Sequence, residues 1–199
     1  ATTADFLRNS GSLLVQGSAT ALVSGATGIF RAGTSNRLVS VNGPGALLDA
    51  QTALMMNGSS NSIVVSAGGR AFVGQLTMSN ETGLAGNAVS VNGADSTLTM
   101  ASDFTMVPES SGGSLSVTGG GRVQSGASIY MAGSNGHISV AGSGSCLTGG
   151  LVMVGVAPFS AANTLDVRDG GAVQLGAGSV YLNGSAPTVS VSGAGSVLQ

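Results

Sequence analysis

The sequence predicts an all-β fold, a parallel β-solenoid in which short strands stack coil upon coil into a rod. Three observations predict it. A valine recurs about every 25 residues with another apolar residue two places before it, and glycines fall into fixed columns after that valine. The composition is also one of slim side chains: 34 glycines in 199 residues, 4% aromatic and 7% charged.

The recurring valines are Val15, Val41, Val65, Val91, Val117, Val140, Val167 and Val191, with spacings of 26, 24, 26, 26, 23, 27 and 24 residues. Their apolar partners two residues earlier are Leu13, Val39, Ile63, Val89, Leu115, Ile138, Leu165 and Val189. The residue between is small or polar in most coils, as at Ser40, Ser90, Ser116, Ser139 and Ser190. That alternation is the period of a half-buried strand. It defines strand one of each coil.

A turn follows. Two residues past the valine stand Gly17, Gly43, Gly93, Gly119, Gly142 and Gly193, with Ala67 and Asp169 as exceptions. Four residues past it stand Gly45, Gly69, Gly121, Gly144, Gly171 and Gly195, with Ala19 and Asp95 as exceptions. Glycine at fixed offsets after a strand marks a turn that needs positive φ or close backbone approach. These are not phosphate loops, because none leads into a helix and the chain has no lysine.

Strand two follows the turn, as in Arg122-Val123-Gln124 and Ala172-Val173-Gln174-Leu175. Strand three again pairs apolar residues two apart: Ile29/Arg31, Leu54/Met56, Leu76/Met78, Phe104/Met106, Ile129/Met131, Leu151/Met153 and Val180/Leu182. Most of these runs end in glycine, at Gly33, Gly58, Gly133, Gly155 and Gly184. The aligned methionines read as a stacked core column, which thioethers fill well, rather than as a Cu(I) track, since no His or Cys joins them.

Three short strands in about 25 residues give about 7.5 coils in a single domain, residues 1–199. At about 4.8 Å per coil the rod is roughly 35–40 Å long. Turns after Val41, Val140 and Val191 read Gly-x-Gly-[Ala/Ser]-x-Leu, and those after Val65, Val117 and Val167 are richer in consecutive small residues, as in Gly119-Gly120-Gly121. Coils therefore alternate, and the repeat unit is a pair of about 50 residues. Both ends read as unfinished coils whose lengths are complementary, so end-to-end stacking of copies by strand addition is expected.

Composition excludes several classes. A mean hydropathy of +0.40 with 42% apolar residues is too hydrophobic for a disordered chain. Four prolines and no three-residue glycine period exclude collagen. A net charge of −2 with six scattered arginines offers no footprint for nucleic acid. The longest apolar stretch, residues 151–159, is far short of the roughly 20 needed to insert in a membrane. No signal peptide is expected in this segment. The single Cys146 excludes an internal disulfide and a Cys-based zinc site.

Units such as Asn163-Thr164-Leu165-Asp166-Val167 with Gly170-Gly171-Ala172-Val173, and Thr188-Val189-Ser190-Val191-Ser192-Gly193-Ala194-Gly195-Ser196-Val197-Leu198, resemble the passenger repeats of type V secretion autotransporters and related bacterial surface proteins. The resemblance covers roughly residues 11 to 199 and specifies architecture more than activity. It implies a right-handed β-helix displayed outside a Gram-negative-type cell.

Candidate sites are few. The acids Asp5, Asp49, Glu81, Asp95, Asp103, Glu109, Asp166 and Asp169 share no column. Asp166, Arg168 and Asp169 form the densest charge cluster and read as a solvated turn with a weak ion pair. His137 is placed outward beside Ser139 as surface decoration, and Cys146, in the column of Leu47 and Val197, as a small packed residue. No catalytic residue, cofactor or metal ligand is expected. Phe30, Met55, Tyr130, Val152 and Tyr181 are expected outward on strand three, as an adhesive or lateral packing stripe. The functional expectation is a non-catalytic extracellular or cell-surface rod, structural or adhesive, with its own copies, surface glycans or neighbouring cells as partners. The alternatives are a polysaccharide-cleaving enzyme or glycan binder of tailspike type, and an ice-binding solenoid built on the Ser-rich outward face of strand one.

Overall fold

A computed structural model describes residues 5–7, 12–23, 28–78, 83, 85–107, 111–156 and 160–199, with backbone only for 5–7 and 28–34. Among them there is no helix, and the strands form two parallel sheets. Strand one of every coil lies in the eight-stranded sheet: Leu13–Gln16, Leu38–Asn42, Ser62–Ser66, Ala88–Asn92, Ser114–Thr118, His137–Ala141, Thr164–Arg168 and Thr188–Ser192, paired in chain order. The eight valines stand in one register from Val15 to Val191. Parallel pairing of this kind normally needs a helical crossover. Here the rest of each coil supplies the crossover, so each strand bonds to its equivalent in the next coil.

The second sheet holds strands two and three. Strand two is Thr20–Val23, Thr97–Met100, Arg122–Ser125, Cys146–Thr148, Ala172–Gln174 and Val197–Leu198; strand three includes Phe104–Met106, Ser128–Met131, Leu151–Val154 and Val180–Leu182. In two coils strands two and three are fused into Leu47–Ser59 and Arg70–Met78, where two separate short strands were expected. A register shift between Ala50 and Ala53 carries that chain round the corner without breaking the ladder.

The core is the inward half of every strand. Leu48, Leu98, Val123, Leu147 and Val173 line strand two, and Leu54, Leu76, Phe104, Ile129 and Val152 line strand three, all at 2% exposure or less. Burying each such side chain contributes about 1.5–3 kcal/mol. Met56, Met78, Met106 and Met131 form the methionine column, which continues as Val154. Met153 was expected there too, but it points outward, half-buried.

The alternation of coils has a simple cause, a turn that is one residue longer in every second coil. Strand two starts six residues past Val41, Val91, Val140 and Val191, at Leu47, Thr97, Cys146 and Val197, but five past Val65, Val117 and Val167, at Arg70, Arg122 and Ala172. Long turns put their positive φ at the second and fourth residues, as at Gly142 (90°) and Gly144 (82°); short turns put it at the second and third, as at Gly119 (60°) and Gly120 (87°). A serine ties three of the four long turns to the short turn before them. Ser145 Oγ donates to Ala141 O (2.7 Å) and accepts the Gly120 amide (3.0 Å). Ser96 and Ser196 make the same two bonds, to Asn92 O and the Gly68 amide, and to Ser192 O and the Gly170 amide. The 50-residue unit is therefore a short turn stitched to the following long one.

Buried asparagines close the corner between strand three and strand one. Asn87 Oδ1 accepts the Asn61 amide (2.9 Å), while its Nδ2 donates to Met56 O (3.1 Å) and Gly58 O (2.7 Å). Asn61 accepts the Arg37 amide in the same way at 3.0 Å. Where Gly113 and Gly136 replace asparagine, Met106 fills the space: its Sδ lies 3.5 and 3.2 Å from where their Cβ atoms would stand. A flexible thioether suits such an irregular gap.

Candidate functional site

In-register parallel strands force outward side chains into columns along the rod, so each face is a ladder of equivalent positions. Three faces result, one per strand.

On the strand-one face, Ser40, Ser90, Ser116, Ser139, Asp166 and Ser190 share a column. His137 is exposed beside Ser139, as expected, although Ser139 itself is buried by its neighbours. Asp166, Arg168 and Asp169 come together as a surface ion pair. Arg168 Nε lies 2.9 Å from Asp166 Oδ2 and its Nη1 3.7 Å from Asp169 Oδ2, while Ser190 Oγ donates to Asp166 Oδ1. The carboxylate of Asp166 is thus engaged on both oxygens. Exposed pairs of this kind contribute about 0–1 kcal/mol.

The strand-three face corrects the expected stripe. Val152 is wholly buried, because the register aligns it with Ile129 and Val180 on the inward side. Its outward neighbour Met153 takes the place, between Tyr130 and Tyr181. The physical reason is that residues 151–154 are all apolar, so the alternation carried no phase. Tyr130 is half-buried and Tyr181 54% exposed, so three adjacent coils do form an apolar strip, Tyr130–Met153–Tyr181. Met55, also half-buried, is separated from it by Thr77 and Thr105 in the same column. The Phe30 side chain lies outside the described residues; its backbone pairs with Met56 rather than Met55.

The strand-two face was not singled out from the sequence. Its first outward column runs Leu47, Arg70, Thr97, Arg122, Cys146, Ala172, and its second Asp49, Phe72, Thr99, Gln124, Thr148, Gln174. Cys146 stands in the expected column, a free, half-buried thiol 3.9 Å from Thr148 Oγ1. A shallow cleft of about 170 Å³ opens among Thr99, Arg122, Gln124, Thr148 and Gln174. Arg70, Arg122, Gln124 and Gln174 are exposed, and Phe72 is 40% exposed. Asp49, half-buried at the head of the second column, has one carboxylate oxygen without a partner, and Gln51 Nε2 donates to the other at 3.5 Å. The signal that could have found this face was the shared place of Arg70 and Arg122, each five residues past its valine; the one-residue change in turn length is what makes Thr97 and Cys146 their neighbours.

Compared with family models, curated proteins and solved structures, the chain matches none of them. Its function is therefore argued from its own surfaces. Among the described residues no group of three or more His, Cys, Asp or Glu side chains stands close enough to hold a metal ion.

Proposed function

We propose that this chain is a structural and adhesive rod, displayed outside a bacterial cell and acting by shape and surface rather than by chemistry. The observation that supports this reading most is the unbroken register of the strand-one sheet through all eight strands. A continuous backbone hydrogen-bond ladder runs along the rod axis, and side-chain bonds from the serines and asparagines stitch coil to coil. Such an array is stable by nearest-neighbour stacking and extends by adding coils.

The same in-register stacking that joins neighbouring coils would serve between copies, and in this reading rods join end to end by strand addition.

Electron microscopy of the purified chain tests both parts. Slender particles about 35–40 Å long, joining into longer rods as concentration rises, are expected. Single rods at every concentration would overturn the end-to-end part, and a compact outline would overturn the rod itself.

A further inference from the structure

Between Arg70 and Gln174 the two outward columns of strand two carry two arginines and no carboxylate, although the whole chain has a net charge of −2. Asp95, in the turn beside Arg70, and Asp49, one coil before Phe72, stand at their border. Arg70 and Arg122 sit in one column with Thr97 between them. They are therefore two coil steps apart, about 9.6 Å. Both are exposed, and among the described residues neither guanidinium makes an ion pair or a side-chain hydrogen bond.

Beside Arg122 the cleft is lined by the hydroxyls of Thr99 and Thr148 and the amides of Gln124 and Gln174. Hydroxyls and amides stacked at coil spacing can meet a row of sugar hydroxyls, both donating and accepting. A guanidinium fork takes a carboxylate with two parallel hydrogen bonds. A solenoid repeats this set along its axis, so the surface suits a polymer that also repeats. We propose that the strand-two face binds a linear anionic polysaccharide laid along the rod, one carboxylate on Arg122 and another two coils away on Arg70. Phe72, exposed in the adjacent column beside Arg70, adds a flat apolar surface for a sugar ring.

A nucleic acid fits this face less well. Its affinity rests on many phosphate contacts, and two cations in a net-negative chain supply few. The carboxylated glycan draws instead on the neutral hydroxyl and amide ladder.

The inference deepens the adhesive-rod reading and rests on it for the expectation that this face meets polysaccharide. Binding of the purified chain to polygalacturonate, to neutral dextran and to a thymidine oligonucleotide tests it by calorimetry. Polygalacturonate is expected to bind, more weakly as salt rises, and dextran is not. Arg122→Gln and Arg70→Gln are each expected to weaken binding about tenfold or more. Arg168→Gln, on another face, is expected to leave it unchanged. Both strand-two arginines are exposed, so the variants keep the fold, which circular dichroism checks. Dextran binding as tightly as polygalacturonate, unchanged affinity in both Arg122→Gln and Arg70→Gln, or preferred binding of the oligonucleotide would each overturn the proposal. Rods seen by microscopy without polyanion binding would overturn this inference alone and leave the rod reading standing.

Discussion

Asn163 reaches back one full coil to Gly136, whose amide its Oδ1 accepts at 2.7 Å. The fit is close enough that a Cβ on Gly136 would stand 2.8 Å from that oxygen. From the same buried side chain, Nδ2 donates to Met131 O at 3.1 Å and Gly133 O at 2.7 Å. One asparagine thus serves three backbone groups at this corner, where Met131 O also accepts the Gly155 amide of the next coil at 3.0 Å.

Asn163→Ala should therefore be costly. It leaves the Gly136 amide and Gly133 O without this partner in the dry corner, while Met131 O keeps the Gly155 amide, and each unsatisfied buried group costs about 1–3 kcal/mol. Allowing for relaxation and water entry, a loss on the order of 2–4 kcal/mol is expected, read as a clear drop in the thermal midpoint. An unchanged midpoint would show that the asparagine ladder is incidental to the stacking.

Strand three of the sixth coil offers a sharper contrast. Val152 is wholly buried while Met153, the next residue, points outward between two tyrosines. Val152→Asp puts an unpaired carboxylate in the core and should prevent folding or cost several kcal/mol. Met153→Asp should cost less than about 1 kcal/mol, as surface substitutions do. Circular dichroism and denaturant melts distinguish them, and the reverse ranking would restore the phase expected from the sequence.

That pair of residues also shows where the sequence was legible. Strand one could be read fully, because apolar and small residues alternate around a valine whose spacing barely changes, from Leu13/Val15 to Val189/Val191. At residues 151–154 every side chain is apolar, and periodicity carries no phase when nothing alternates. The asparagine ladder stayed hidden for a different reason: Gly113 and Gly136 interrupt it, so Asn61, Asn87 and Asn163 do not form an obvious column. On the strand-two face the obstacle was the turn. A fixed offset from each valine compares Arg122 with Ser145, whereas the register pairs Arg122 with Cys146. Alternation of the coils was visible, but its cause, one added residue, changes which side chains become neighbours.

The serine stitch between turns leads to a stabilising substitution. Ser96, Ser145 and Ser196 each bond a carbonyl four residues back and an amide of the preceding short turn. Ala46 holds the equivalent place in the first long turn, fully buried and unable to make either bond. Ala46→Ser places a hydroxyl where Asn42 O and the Ser18 amide correspond to those partners. A gain of about 1 kcal/mol is expected, or roughly 2–4 °C in thermal midpoint for a chain of this size. A lower midpoint would mean that the first pair of coils is not stitched as the later three are.

Two glycine-column substitutions should move stability in opposite directions, for separate reasons. Ala67 holds a φ of 51° where six other coils have glycine. A left-handed alanine costs about 1–2 kcal/mol, part of which returns as extra freedom of the unfolded glycine. Ala67→Gly should then stabilise by about 0.5–1 kcal/mol. Gly121 is a different case, because its backbone is not left-handed; the constraint is space. A Cβ there would lie 2.6 Å from Val91 O and 2.9 Å from Val91 C, one coil back. Backbone on the ladder cannot retreat without lengthening hydrogen bonds, so Gly121→Ala should cost about 1–3 kcal/mol, in the manner of an overpacked core. Gly69 and Gly171 stand equally close to Val41 O and Val140 O, at 2.4 and 2.3 Å. The short turns after Val65, Val117 and Val167 thus need glycine at their fourth residue because each brings the chain against the previous coil. The long turn, with its extra residue, accepts Asp95 there. If Gly121→Ala were neutral, the requirement for glycine at that place in the short turn would be wrong.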